Sequence, residues 1–168
     1  MTAPMALSSH GSGSGRTRRT VALIGNPNTG KSTLFNRLTG SRERVGNYPG
    51  VTVARKSGTS WLGEEEVEVL DLPGTYSLAA TSPDERIVTD VLLGRTGDRP
   101  ALVVCTVDAN HLQRSLFLAC QMADLCVAVV PLVARNGQGI WELKAPIAAA
   151  LQKPQHIQIS PWPGSVLY

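Results

Sequence analysis

One short segment, Gly25 to Ser32, restricts what this chain can fold into more than any other part of its sequence. It reads Gly-Asn-Pro-Asn-Thr-Gly-Lys-Ser and lies between an apolar run at 21–24 and a helix-like stretch at 33–38. A strand, a glycine turn and a helix in this order form a P-loop, whose backbone N–H groups and helix N-terminus surround phosphate oxygens. A chance glycine turn would not bring the Lys-Ser pair and both flanking elements with it.

The residue types of this loop suit particular contacts with a nucleotide. Gly25 and Gly30 allow a close approach of the backbone, which a β-carbon would block. Lys31 can reach the β- and γ-phosphates as a point charge, and the Ser32 hydroxyl is placed to ligate Mg²⁺. The predicted contacts of the loop are Gly25, Asn26, Pro27, Asn28, Thr29, Gly30, Lys31, Ser32 and Thr33.

A second motif follows an alternating stretch at 67–70. It reads Asp71-Leu72-Pro73-Gly74. In P-loop nucleotide hydrolases, an Asp at such a strand end holds Mg²⁺ and the Gly amide senses the γ-phosphate. The alternative is an ordinary turn after a strand, but downstream of a P-loop the functional interpretation is favoured. We therefore predict nucleotide or metal contacts from Asp71, Leu72, Pro73 and Gly74.

Between the two motifs lies a segment typical of a mobile switch. Residues 45–53 contain two glycines and a proline and end in Val51-Thr52-Val53. A threonine here can close over Mg²⁺ and the γ-phosphate through its hydroxyl and carbonyl; the alternative is that it simply starts a strand. We predict Mg²⁺ ligation by Ser32, Thr52 and Asp71, nucleotide contacts from Gly50 and Val51, and catalytic roles for Lys31, Thr52 and Gly74.

Together these motifs resemble those of a known family. They are Gly-Asn-Pro-Asn-Thr-Gly-Lys-Ser-Thr-Leu-Phe-Asn (25–36), Val-Gly-Asn-Tyr-Pro-Gly-Val-Thr-Val (45–53), Asp-Leu-Pro-Gly-Thr-Tyr-Ser-Leu (71–78) and Ser-Pro-Asp-Glu (82–85). They are similar to the N-terminal GTPase domain of the bacterial ferrous iron transport protein B (FeoB) family, over roughly residues 20–125 and 131–151. The resemblance implies a Ras-like G domain that binds GTP or GDP with Mg²⁺. In full-length members it lies at the cytoplasmic face of the inner membrane, before a helical domain and a membrane domain for Fe²⁺.

The resemblance also implies a role for Asn28. In potassium-activated GTPases of this class, the matching asparagine helps to hold a K⁺ that neutralises charge between the phosphates. The residue type equally suits a local side-chain-to-backbone bond that shapes the loop, and both interpretations stay open. Thr75 stands where many Ras-type GTPases carry a water-orienting glutamine, so hydrolysis by that route is expected to be slow.

Strand and helix patterns alternate along the chain. We predict strands over 21–26, 51–60, 66–71, 101–107 and 126–133, helices over 31–39, 83–94, 111–123 and 138–151, and switch loops over 41–50 and 72–82. This order predicts an α/β P-loop NTPase fold, with a mostly parallel sheet, helices on both faces and one hairpin. Residues 1–19 are predicted to be a disordered leader, 20–152 an incomplete G domain, and 153–168 an irregular tail.

The second half of the domain departs from the family pattern. Between the strand that ends at Asp108 and the final loop, such a GTPase needs two helices, two strands and an Asn-x-x-Asp motif that reads the base, or about 55 residues. Here Ala134 follows Asp108 by 26 positions. We therefore predict that one strand, one helix and the base-reading aspartate are missing. Asp108-Ala109-Asn110 has the wrong order to replace the motif, and only the Ala134 amide remains to face a guanine carbonyl.

Two classes of function therefore stay open. The first is a Mg²⁺-dependent GTP-binding and GTP-hydrolysing switch. The second is a degenerate, non-enzymatic remnant that binds nucleotide phosphates without selecting guanine.

The charge and hydropathy of the chain limit the partners expected for either class of function. The net charge of +3 owes much to Arg16, Arg18 and Arg19, so no nucleic acid partner is expected. No segment approaches the roughly 18 uninterrupted apolar residues that a membrane helix requires. We expect this polypeptide to be cytoplasmic and to lack the membrane transport domain of its full-length relatives.

Overall fold

Strands and helices alternate along most of the described chain. The computed structural model describes residues 18–49, 51–97, 99–125, 129–133 and 140–152. The elements are β1 (Thr20–Gly25), α1 (Lys31–Thr39), β2 (Glu43–Asn47), β3 (Ala54–Leu62), β4 (Glu65–Asp71), α2 (Pro83–Leu92), β5 (Leu102–Val107), a 3₁₀ turn (Ala109–His111), α3 (Leu112–Asp124), β6 (Val129–Val133) and α4 (Ile140–Gln152). The predicted α/β alternation is confirmed.

All these strands belong to one sheet, with the order β2-β3-β4-β1-β5-β6. β1 pairs in parallel with β4 and β5, and β5 pairs in parallel with β6. β3 is antiparallel to both β2 and β4, which confirms the predicted hairpin. Because parallel strands have their carboxyl ends at one edge, the ends of β1, β4 and β5 bring Gly25, Asp71 and Val107 to the same edge of the sheet.

Helices cover both faces of the sheet, as predicted. Successive residues of a strand point to opposite faces, so Val21 and Leu23 of β1 pack in a core with α1 and α4, whereas Ala22 and Ile24 pack in a second core with α2 and α3. The four side chains are fully buried. β1 is therefore fixed from both sides, and the loop that follows it starts from a rigid position.

The prediction of a loop over 41–50 is wrong in its centre, because Glu43–Asn47 form the edge strand β2. β2 pairs with β3 from Glu43 opposite Gly58 to Asn47 opposite Ala54. All five of its residues are exposed, and they lack the alternation of polar and apolar types that marks a strand in a sequence. Only the pairing with β3 defines this strand. β3 correspondingly begins at Ala54 and not at residue 51.

Two observations bear on the ends of the domain. Arg18 and Arg19, assigned to the leader, form ion pairs with Glu66 and Glu65 of β4, so ordered contacts begin before residue 20. The rest of the predicted leader and the tail from 153 lie outside the described residues.

Among the described helices, none has the length and apolarity that a bilayer span requires.

After α3, the described residues contain the single strand β6 before α4. Pro131 of β6 lies opposite Cys105 of β5. Because proline cannot donate a backbone hydrogen bond, it is confined to edge strands and bulges, and β6 is the last strand of the described sheet. The arrangement agrees with the expectation of one strand where a complete G domain has two.

Candidate nucleotide-binding site

The loop between β1 and α1 has the backbone geometry of an anion-binding turn. Asn28 has φ 66° and Gly30 has φ 82°, both in the left-handed region. Such residues curl the chain so that neighbouring N–H groups face one concavity. Gly30 is also the N-cap of α1 and has no side chain to satisfy the first amides of the helix, whose first turn carries no acidic residue. These amides are therefore available to an anion.

Glycine is required at position 25 because a side chain there would collide with Thr106 of the neighbouring strand β5. A β-carbon at this position would lie 2.0 Å from Thr106 Oγ1 and 2.9 Å from Thr29 Oγ1. The close approach predicted at Gly25 was that of a phosphate, but the atoms that exclude a side chain there belong to β5 and to the loop itself. Gly25 thus allows the loop to pack against β5.

Gly25→Ala is expected to lower the free energy of unfolding by about 1–3 kcal/mol, because the added methyl overpacks against Thr106. Thermal denaturation measures this change. Gly46→Ala is a matched control, since a β-carbon there meets nothing within 4 Å. Equal melting temperatures for Gly25→Ala and the wild type would contradict the packing described.

Three of the predicted site residues meet at the mouth of the loop. Lys31 Nζ forms an ion pair with Asp71 Oδ1, and the Ser32 Oγ atom lies 3.5 Å from Asp71 Oδ2. The side chains of Lys31 and Asp71 are only 11% and 6% exposed. A carboxylate and a hydroxyl are hard oxygen ligands of the kind that Mg²⁺ prefers. The chemistry of these donors therefore fits a magnesium ion between Ser32 and Asp71.

The segment after Asp71 runs alongside the P-loop. Leu72 N donates to Leu23 O (3.1 Å) and Thr75 N donates to Gly25 O (3.1 Å). Gly74 packs so closely on Pro27 that an added β-carbon would lie 3.2 Å from Pro27 Cγ. The structure thus brings Leu72, Pro73 and Gly74 next to the predicted phosphate loop.

Thr52 forms no hydrogen bond with this cluster among the described contacts. It lies exposed in the turn between β2 and β3, and no described residue forms a hydrogen bond with its side chain. The neighbouring Val51 is 41% exposed. Gly50 and Ala134, also predicted as contacts, lie outside the described residues.

Tyr48 connects the β2–β3 turn with the protein interior. Its ring is 4% exposed and packs in the core with α2 and α3, and its hydroxyl has no described hydrogen-bond partner. Burial raises the pKa of Tyr48 to about 12; the charge of Asp71 adds to this rise and that of Arg55 opposes it. Tyr48 was not among the predicted site residues, although an aromatic residue in a glycine-rich loop is a usable signal for an anchor.

The Ser-Pro-Asp-Glu motif at 82–85 is a capping box that begins α2. Glu85 N donates to Ser82 Oγ (3.2 Å), and Ser82 N donates to the Glu85 carboxylate (3.3 Å). The same carboxylate accepts hydrogen bonds from Thr81 N (2.9 Å) and Ser77 Oγ (3.1 Å). The Thr81 hydroxyl also donates to this carboxylate. Its hydrogen bond has the largest effect among those that lower the pKa of the Glu85 carboxyl. The loop after Gly74 is therefore fastened to α2.

Asp108 directly follows β5, and its carboxylate forms hydrogen bonds within its own turn. This residue caps the 3₁₀ turn by accepting a hydrogen bond from Asn110 N (2.9 Å), and its second oxygen lies 2.8 Å from His111 Nδ1. These interactions, led by the one with His111, lower the pKa of Asp108. Its carboxylate is thus occupied within its own turn.

Fold and site together define an α/β protein of the P-loop NTPase class. The strand, glycine loop and helix lie in the order that this class requires, and Asp71 from the adjacent parallel strand meets the loop lysine. A family model described as "Ferrous iron transport protein B" matches residues 19–136. The chain belongs to the ferrous iron transport protein B family.

Individual relatives agree with this assignment. The Fe(2+) transporter FeoB of Escherichia coli (strain K12) is 41% identical, and the alignment takes in 76% of this chain and 21% of that protein. The cytosolic domain of T. maritima FeoB in a GDP form is 32% identical, with 86% of this chain and 67% of that one covered at a TM-score of 0.76. The cytosolic domain of L. pneumophila FeoB is 46% identical, with 67% and 43% covered at a TM-score of 0.62.

The alignment with the E. coli transporter also reveals a shortfall inside this chain. It runs over 162 positions but includes only 76% of the 168 residues, or about 128, so about 34 positions of the relative have no counterpart. The element lengths of a complete G domain predicted a shortfall of about 29 residues. The two figures agree in size. The chain spans about a fifth of the length of the curated relatives it matches.

Proposed function

We propose that this chain is a guanine-nucleotide-binding domain that holds GTP or GDP with Mg²⁺, hydrolyses GTP, and serves the transport of Fe²⁺ in a longer protein. The observation that carries the proposal is the cluster of Lys31, Ser32 and Asp71 beside the uncapped N-terminus of α1. The names of the T. maritima structures support it, since they state GDP and GMPPNP forms.

Each described residue of the site has a distinct task in this proposal. The amides at the start of α1 hold the β-phosphate, and Lys31 leaves Asp71 to neutralise the β- and γ-phosphates. Ser32 and Asp71 would hold Mg²⁺, and the bound ion would neutralise charge that develops on the phosphate oxygens. Gly74 offers its amide to the γ-phosphate. Thr52 forms no side-chain hydrogen bond with any described residue, and in this proposal it completes the metal site when the β2–β3 turn closes.

A titration with a fluorescent GDP analogue, with Mg²⁺ and with EDTA, tests binding, and release of inorganic phosphate from GTP tests hydrolysis. We expect saturable, Mg²⁺-strengthened binding and slow turnover. Absence of saturable binding with Mg²⁺ would overturn the proposal.

A second candidate function is a phosphate-binding remnant without guanine selectivity. It is favoured by the shortfall of about 34 positions relative to the E. coli transporter and by the engagement of Asp108 with His111. In this case the phosphate side binds nucleotide, but the base contributes little to the affinity.

Asn28 is proposed to hold K⁺ at the phosphates. Its side chain is exposed, and none of the described residues forms a hydrogen bond with it, so the alternative of a local bond that shapes the loop has no support in the described contacts. Because the amide oxygen of Asn28 has no hydrogen-bond partner among the described residues, it is available to a monovalent cation.

We expect the GTPase rate at saturating nucleotide to rise several-fold when K⁺ replaces Na⁺ at constant ionic strength, because the cation offsets charge between the phosphates. Asn28→Ala is expected to remove the difference, but alanine is also strained at φ 66°. Asn28→Gly is the matched variant, since glycine keeps this conformation and removes only the amide. Retention of the potassium effect in Asn28→Gly would show that Asn28 acts through the backbone.

A further inference from the structure

Thr106 of β5 lies directly beneath the P-loop. Its side chain is fully buried, and its Oγ1 atom lies 2.6 Å from Thr29 Oγ1 and 3.2 Å from Ile24 O. Thr29 Oγ1 in turn donates to Asn26 O at 2.8 Å. Two hydroxyls thus connect β5 with three consecutive parts of the loop: its entry at Ile24, its first turn at Asn26 and its centre at Thr29.

Three contacts in this chain share two hydroxyl protons. Each threonine hydroxyl has one proton to donate and lone pairs that accept. Thr29 donates its proton to Asn26 O, so the single proton of Thr106 is shared between Thr29 Oγ1 at 2.6 Å and Ile24 O at 3.2 Å, and both hydroxyl protons are engaged. A satisfied network of buried polar groups specifies one arrangement of the backbone around it.

A second contact of the same kind comes from α3. The Asn26 side chain is 4% exposed, and its Nδ2 atom lies 3.3 Å from Oγ of the fully buried Ser115. Ser115 Oγ also accepts a hydrogen bond from Asp108 N at 3.1 Å, at the end of β5. The P-loop is therefore held against β5 by Thr106 and against α3 by Ser115, and both of these side chains lie outside residues 25–32.

We propose that Thr106 is a positioning residue of the nucleotide site: its hydroxyl, acting through Thr29, sets the conformation in which the P-loop amides face a phosphate. The proposal rests on the proposed nucleotide binding of this domain. Thr106 itself points into the protein and does not contact the ligand. Its effect is preorganisation, because donors that are already oriented need no ordering when the ligand binds.

The test compares three substitutions of Thr106 in the whole chain. Thr106→Val keeps the branched shape without the hydroxyl, Thr106→Ala removes hydroxyl and methyl, and Thr106→Ser keeps only the hydroxyl. We expect about tenfold weaker binding of a fluorescent GDP analogue with Mg²⁺ for the valine and alanine variants, and near wild-type binding for serine; tenfold corresponds to about 1.4 kcal/mol. Ser60→Ala is the matched control, since Ser60 is a buried strand hydroxyl with no described partner.

Hydrogen exchange of the nucleotide-free protein provides a readout that a merely structural role would not give. Thr106→Val is expected to accelerate exchange in peptides that cover 25–33 while β3 and β4 stay protected. Binding equal to wild type in the valine and alanine variants, or acceleration spread evenly over the sheet, would overturn the role of Thr106. If the wild type bound no nucleotide, the proposed function would fail, and exchange in the loop would still decide whether Thr106 holds it.

Discussion

Lys31→Ala is expected to abolish Mg²⁺-dependent nucleotide binding. The Lys31 ammonium is the cation that the structure places at the P-loop, and its removal takes away charge-assisted bonds to two phosphates, each worth about 1.5–3 kcal/mol. These losses amount to about a hundredfold or more in affinity. Ser32→Asn is expected to have a similar effect, because it replaces the hydroxyl that is proposed to ligate Mg²⁺. Titration with a fluorescent GDP analogue measures both.

The control for Lys31→Ala must remove the same charge elsewhere. Lys56→Ala does so on β3, where the lysine side chain is 44% exposed and its Nζ atom lies 3.9 Å from Glu43 Oε2. Because Lys31→Ala also leaves the nearly buried Asp71 carboxylate without its partner, thermal denaturation has to show that the variant is folded. Equal binding by the wild type, Lys31→Ala and Ser32→Asn would contradict the assignment of the loop.

GTP and ATP are expected to compete for this site within about tenfold of one another. An aspartate that pairs with the guanine N1–H and N2 amino group supplies two charge-assisted bonds. Without these two bonds, the preference for guanine over adenine falls by about a hundred- to ten-thousandfold, at 1.4 kcal/mol for each factor of ten. The remaining contacts are with phosphate and ribose, which the two nucleotides share.

Competition of unlabelled GTP and ATP against one fluorescent nucleotide measures this ratio. The G domain of the E. coli relative, which contains the positions that this chain lacks, is the matched control in the same buffer. A guanine preference above about a thousandfold in this chain would contradict the prediction. It would mean that another residue, not among the proposed site residues, reads the base.

The sequence predicted the P-loop, the Asp71 motif and the alternation of strands and helices, because each combines a local pattern with a fixed place in the fold. Lys31, Ser32 and Asp71 meet as expected, although they are far apart in the chain. Glycines mark tight turns in a sequence, and a run of apolar residues between turn signals marks a buried strand such as β1.

Other parts of the molecule left no such pattern. β2 exists only through pairing with β3, and its exposed residues resemble a loop in type. Thr106 is one hydroxyl in an otherwise apolar strand, and only the structure shows that Thr29 lies above it. The requirement for glycine at position 25 was recognised, but its cause in β5 depends on the same pairing of distant segments.

The exposure of β2 has a consequence for how the domain changes shape. Because none of its five residues is buried, separating β2 from β3 breaks ladder hydrogen bonds but exposes almost no apolar core. Regions with few buried contacts open locally at a small fraction of the global unfolding free energy. The edge strand β2 is therefore the part of the described sheet that can be remodelled at low free-energy cost with the rest of the fold left intact, and the turn that carries Thr52 follows this strand directly.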